Sequence, residues 1–197
     1  MTESLFEHAE RRFTPETLSP GELEELDALS RLIAERDAAR ESGKASPRPN
    51  AMTRQAVTAQ SVLNEASEYG SAFSRGLRLE FDHFCLLIIS GTASVDEAGN
   101  TVHAGDFRAQ CWRTYRNITT LLETEGASWK DVVKTTCYLR DIERDYEEFN
   151  RVRTDFFQWH DLDPLPASVG IQARLCRGDL LVEIEAIAIQ KRSTSSE

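Results

Sequence analysis

The clearest hydrophobic pattern in the chain is Leu180-Leu181-Val182-Glu183-Ile184-Glu185-Ala186-Ile187-Ala188-Ile189, which predicts a strand by composition and by period. Alternation puts Val182, Ile184, Ala186 and Ala188 on one wholly apolar face, and Leu181, Glu183, Glu185, Ile187 and Ile189 on the other. Two carboxylates among three large aliphatics admit two readings. Either desolvation raises a carboxyl pKa toward the range of a general base, or both glutamates sit at the wet rim of a sheet.

Upstream, Ser71 to Glu80 alternates weakly, and Phe84 to Ile89 is a continuous apolar run that stops at Ser90-Gly91; together they predict a strand pair. Val132 to Leu139 and Ser168 to Leu175 predict two more strands, the second joined to the final one by Cys176-Arg177-Gly178-Asp179. Helical spacing marks Asp106 to Glu125, with Cys111, Tyr115, Ile118 and Leu122 on one face and Gly126 as terminator. A second helix runs from about Asp145 to His160 and carries Tyr146, Phe149, Val152 and Phe156. Thr53 to Glu68 fits a short strand and loop or a helix equally well. The order strand, strand, helix, strand, helix, strand, strand implies an α+β layer, a single sheet with two helices on one face. Its other face remains partly apolar, and such a face commonly meets a partner subunit.

Residues 1–50 are different in kind: charge-rich, with one periodic segment opening at Ser19-Pro20-Gly21-Glu22. Ser19 as N-cap, Pro20 at the first helical position and Glu22 reaching back form a capping box. Leu23, Leu26, Leu29 and Ile33 make a narrow apolar stripe on the helix that follows, which Gly43 can end. The stripe is expected to pack on its own domain or a neighbouring subunit, with docking to another protein as the alternative. The implied organisation is a helical extension and linker over 1–50, a folded domain over 51–192 and a polar tail over 193–197.

A chain of 197 residues with 40% hydrophobic residues supports one core. Its formal charge of −10 disfavours a phosphate-binding surface, so nucleic acid is not an expected partner. Cys85, Cys111, Cys137 and Cys176 lie far apart, with neither Cys-x-x-Cys nor a His at metal-ligand spacing, so no metal or organic cofactor is expected. His83, His103 and His160 show no triad spacing and read as surface or loop residues. Free thiols fit a reducing cytoplasm. With no basic-then-apolar leader and no run of membrane-spanning length, the expectation is a soluble cytoplasmic protein with no membrane partner.

Several blocks taken in order resemble the Rid family, also called YjgF-like. They are Ile89-Ser90-Gly91, the helix ending in Glu-Gly-Ala-Ser, Asp131-Val132-Val133-Lys134-Thr135-Thr136, Phe149-Asn150, Ala173-Arg174-Leu175 and Leu181 to Ala188. The resemblance spans about Tyr69 to Ile189 and implies a chorismate-mutase-like α+β fold, a homotrimer, and small-molecule sites in clefts between subunits. It also implies hydrolysis of reactive enamine and imine acids, with Glu183 matching the glutamate that activates the attacking water, and Tyr69, Ser90 and Asn150 matching pocket positions. The family's carboxylate-clamping arginine falls at Ala167 when Asn150 and Ala173-Arg174-Leu175 are aligned, and alanine offers no planar fork in its place.

Tyr69 to Gly76, Ser90 to Ser94 and Cys176 to Glu183 also resemble the Rid-like C-terminal half of chorismatases, which again implies Glu183 as the acid/base residue. Ser90 and Ser94 flank a Gly-Thr-Ala turn whose backbone N–H groups would suit an anionic oxygen, or which is only a turn. Arg174 either stabilises a carboxylate or pairs with an interface acid. Cys176 either becomes a thiolate beside Arg177 or packs against ligand or core. Arg75 and Arg177 read as exposed arginines with no special role. The candidate site is therefore Glu183 as catalyst, with Tyr69, Ser90, Ser94, Asn150, Arg174 and Cys176 around a small substrate. The expected activity is imine/enamine deaminase-like; a chorismatase-like hydrolase of an unsaturated cyclic acid and a non-catalytic metabolite-binding trimer are the alternatives.

Overall fold

The computed structural model describes residues 19–41, 53–59, 63–64 and 71–191. Two compact units divide the chain, Met1–Ala51 and Met52–Glu197. In the first, helix α1 spans Pro20–Glu41, and the bond from Leu23 N–H to the Ser19 carbonyl (3.1 Å) starts it where the capping signal predicts. Leu29 of the predicted stripe and the neighbouring Leu32 are exposed. Gly43, the linker prolines and the polar tail lie outside the described residues.

Among the described residues the second unit is one six-stranded sheet with two α-helices and a short 3-10 helix, Trp129–Asp131. Its strands are β1 (Thr53–Val57), β2 (Gly76–Glu80), β3 (Phe84–Ala93), β4 (Val132–Leu139), β5 (Ala167–Gln172) and β6 (Val182–Lys191), in the order β1-β2-β3-β6-β4-β5. All neighbours are antiparallel except β4 and β5, which the crossover through a helix makes parallel. The strand with the clearest sequence pattern thus lies inside the sheet, between β3 and β4.

Helix α2 (Phe107–Thr124) is capped by Asp106, whose carboxylate accepts from Ala109 N–H at 2.9 Å, and it is followed by Gly126 at φ 68°, a conformation that favours glycine. Helix α3 (Ile142–Trp159) starts earlier than its apolar spacing suggests. Asp141 is the cap, accepting from Arg144 N–H at 3.0 Å, whereas Asp145 is a buried first-turn residue ion-paired to Arg144. One core joins the helices to a single sheet face: Tyr115, Ile118, Leu121, Leu122, Phe149, Val152 and Phe156 pack with Leu87, Ile89, Cys137, Leu139, Val182, Ile184, Ala186 and Ala188. Trp129, 1% exposed, donates its indole N–H to Thr119 Oγ1 at 2.8 Å while its ring meets Tyr115 edge-on.

The opposite face ends differently. Phe84, Ile88, Val169, Ile171 and Ile189 are exposed, with Glu183, Glu185 and Ile187 half-buried among them. No helix among the described residues is long and apolar enough to cross a membrane.

Candidate functional site

The site follows from an irregularity in β3. Pairing with β6 is regular from Phe84↔Lys191 to Ile89↔Ala186 and resumes at Thr92↔Ile184, so Ser90 and Gly91 together oppose Glu185. This is a β-bulge, and it corrects the expectation that the strand stops at Ser90-Gly91: β3 continues through Ala93. Gly-Thr-Ala is therefore strand rather than turn, and Thr92 secures it by donating its hydroxyl to the Ser90 carbonyl at 2.9 Å.

Gly91 lets Glu183 lie against the bulged backbone. A Cβ at position 91 would overlap Glu183 Oε1 and stand 3.0 Å from its Cδ. The half-buried carboxyl has its pKa pushed above the ordinary glutamate value, first by burial and second by the negative charge of Glu185. Glu185 itself accepts a hydrogen bond from the Tyr138 hydroxyl at 3.0 Å. Two glutamates with the same sequence context are thus told apart by the bulge: one is desolvated over glycine, the other is satisfied by a phenol.

Glu183 opens into a cavity of about 520 Å³ lined by Ser71, Phe73, Arg75, Ser90, Gly91, Ala93, Val95, Cys176, Arg177 and Leu180. Of the candidates read from sequence, Glu183, Ser90 and Cys176 meet here. The Ser90 hydroxyl donates to the Ser74 carbonyl at 2.8 Å, and Cys176 is an exposed free thiol. Ser94 is withdrawn from the cavity, fully buried with its hydroxyl donating to the Val102 carbonyl at 2.8 Å. Asn150 is on α3, where its side-chain oxygen accepts from Arg153 at 2.5 Å, and Arg174 is exposed; neither is among the lining residues. Tyr69 lies outside the described residues.

Sequence reasoning missed the two arginines. Arg75 is 7% exposed, contrary to its reading as a surface arginine, and donates to the Asn64 carbonyl (2.9 Å) and side-chain oxygen (3.0 Å). Arg177 is half-buried and donates to the Gly99 carbonyl at 2.5 Å. Gly91 did carry a signal, since an isolated glycine inside an apolar strand pattern marks a bulge or a close approach. Among the described residues no group of three or more His, Cys, Asp or Glu is placed to hold a metal ion.

Residues 71–190 match the family described as endoribonuclease L-PSP. A RutC family protein of Pyrococcus abyssi is 33% identical over 105 residues, 53% of this chain and 79% of that protein. Among solved structures, the YjgF gene product of E. coli is similar with a TM-score of 0.58 and 23% identity, over 69% of this chain and 98% of that one. E. coli TdcF with bound serine matches with the same TM-score, identity and coverage. A family match over more than half of the chain, on the bulged sheet and helix pair described above, makes the chain a member of the endoribonuclease L-PSP family, the Rid or YjgF-like proteins.

Proposed function

We propose that the protein is a hydrolase of small reactive carboxylic acids, deaminating imine or enamine acids with Glu183 as general base. The observation that carries this reading is the Glu183 carboxyl seated over Gly91 in a cavity, with its pKa raised by desolvation. Glu183 accepts a proton from water as the oxygen bonds to the imine carbon. It returns that proton to the nitrogen to give a carbinolamine, and the hydroxyl proton then passes to the nitrogen as the C–N bond breaks, so that imine and water become a carbonyl compound and ammonia. A cavity of about 520 Å³ has room for a metabolite of this size, and the relative TdcF holds serine, a small amino acid.

The proposed active form is a cyclic homotrimer. Its neighbouring subunit covers the exposed aliphatics of the helix-free face, and Asn150 and Arg174, which stand apart from their own chain's cavity, contribute to the neighbour's. RNA cleavage, which the family's description suggests, is disfavoured by the formal charge of −10.

The test is a screen of freshly generated imino acids and of chorismate-like cyclic acids against wild type and Glu183→Ala. Hydrolysis by the wild type that the variant lacks is the expected result. Equal rates for both would remove Glu183 as the base, and calorimetric binding without product would make the protein a metabolite-binding trimer.

A further inference from the structure

Helix α2 buries two different stripes. Cys111, Tyr115, Ile118 and Leu122 enter the apolar core, while Gln110, Thr114 and Asn117, spaced four and three residues apart along the helix, are polar and 0% exposed. A buried amide costs free energy unless its polar atoms are bonded, so the partners of Gln110 and Asn117 show what the second stripe holds. Both bind backbone. Gln110 donates to the carbonyls of Asp179 (2.8 Å) and His103 (3.2 Å) and accepts from Leu181 N–H (2.8 Å). Asn117 donates to the carbonyls of Ala93 and Val95, each at 3.0 Å, and Arg113 donates to the same Val95 carbonyl at 3.0 Å.

The backbone held in this way is the frame of the candidate site. Ala93 and Val95 form one part of the cavity wall, and Leu180, bracketed by the two residues that Gln110 binds, forms another. Ala93 is also the residue of β3 that pairs with Glu183.

Glu183 is supported unequally by its two neighbouring strands. Toward β4 the ladder runs without a break from Lys134↔Ile187 to Leu139↔Val182. Toward β3 only Thr92↔Ile184 and Ala93↔Glu183 lie beyond the bulge, and the ladder ends with them. Two pairs at the end of a strand are the part of a sheet that opens first. Yet the seat of the Glu183 carboxyl over Gly91 spans β6 and β3, so it depends on those two pairs. Asn117 and Gln110, seven residues and about 10 Å apart along α2, fasten β3 just past the bulge and the chain just before β6.

We propose that Gln110 and Asn117 are positioning residues of the candidate site: from inside α2 they hold the ends of β3 and β6 in the relation that seats the Glu183 carboxyl over Gly91. Neither side chain is among those lining the cavity, so both act through the backbone that they bind. This deepens the reading of Glu183 as the base and rests on it for any effect on turnover, whereas the effect on the carboxyl itself is independent of that reading.

The test is a carbon-13 titration of the Glu183 carboxyl in the full chain, in the wild type, Gln110→Met and Asn117→Leu. Both substitutions approximately keep side-chain size, introduce good helix formers and remove the bonds. Ile118→Ala, which opens the apolar core from the same helix without touching either amide, is the control for lost stability. In the two amide variants the Glu183 midpoint should fall toward that of an ordinary glutamate as the carboxyl leaves its seat, and kcat on the proposed substrates should drop by about 10-fold to 10²-fold. Ile118→Ala should lower the melting temperature and leave the midpoint where it is. Amide variants that melt earlier but keep the wild-type midpoint would make Gln110 and Asn117 merely structural and overturn the proposal. Hydrogen exchange on the wild type adds an arm that needs no variant to fold: Leu181 N–H should exchange as slowly as the amides inside β6, and exchange at the rate of an exposed loop amide would also overturn it. Shifted midpoints beside a fully active Glu183→Gln would uphold the positioning and remove the catalytic role of Glu183. Unshifted midpoints beside an inactive Glu183→Gln would do the reverse.

Discussion

The two faces of the sheet are made by the same strands and finished differently. On the helix-covered face, every second residue of β6 from Val182 to Ala188 is buried in one core with α2 and α3. On the other face, Glu183, Glu185 and Ile187 are only half-buried, and the nearby Ile88 and Ile189 are exposed. The cavity lies on the open side, at the Ser90-Gly91 bulge of β3. The core and the candidate site thus lie on opposite sides of one strand. Substitutions on the two sides should fail in different ways.

The largest effect is expected from Glu183→Gln: a loss of about 10² to 10⁴ in kcat on the proposed imino-acid substrates, with circular dichroism unchanged. Stability should move the other way. Folded Glu183 holds its proton more tightly than an unfolded glutamate, so the native state is progressively disfavoured as pH rises from the ordinary glutamate range through the raised folded value. The amide carries no such cost. Glu183→Gln should therefore melt above the wild type at neutral pH, and the gain should vanish below about pH 4. On the covered face, Trp129→Ala should cost about 3–5 kcal/mol in chemical denaturation, since it empties the centre of the aromatic cluster.

Gly91→Ala comes next. The added methyl displaces the Glu183 carboxyl, so activity should fall by about 10², while the denaturation midpoint changes little because the carboxyl can swing into the cavity. Ile88→Asp, on the open face opposite Ile187, should leave the chain folded and shift light scattering from the proposed trimer to monomer. The smallest effect belongs to Glu185→Gln. Removing this like charge lowers the Glu183 pKa, so the acid limb of the rate profile should move to lower pH with little change in the plateau.

What the sequence disclosed follows the same division. β6 is legible because burial on the covered face imposes alternation from Val182 to Ala188, β4 because the same alternation runs from Thr135 to Leu139, and α2 because Asp106 and Gly126 bracket its apolar stripe. β1 is obscure because four of its five residues are exposed, so no apolar period marks it. The start of α3 is misjudged because two aspartates compete for the cap, and only packing shows that Asp145 is buried. Glu183 is legible as a candidate from its strand face and from its family position. Its distinction from Glu185 is not, because that depends on Gly91 across the sheet and on Tyr138 in the strand beyond. The arginines of the cavity come from segments about a hundred residues apart, Arg75 before β2 and Arg177 before β6, and only the tertiary fold joins them.

The most direct test of the account is the titration of the Glu183 carboxyl itself, followed by carbon-13 NMR in the wild type and in Gly91→Ala. The wild-type midpoint should lie above that of an ordinary glutamate, and the variant, with its carboxyl pushed off the bulge, should return toward it. A wild-type midpoint at or below the ordinary value would mean that the bulge does not hold a desolvated base, and the catalytic role of Glu183 would fall with it.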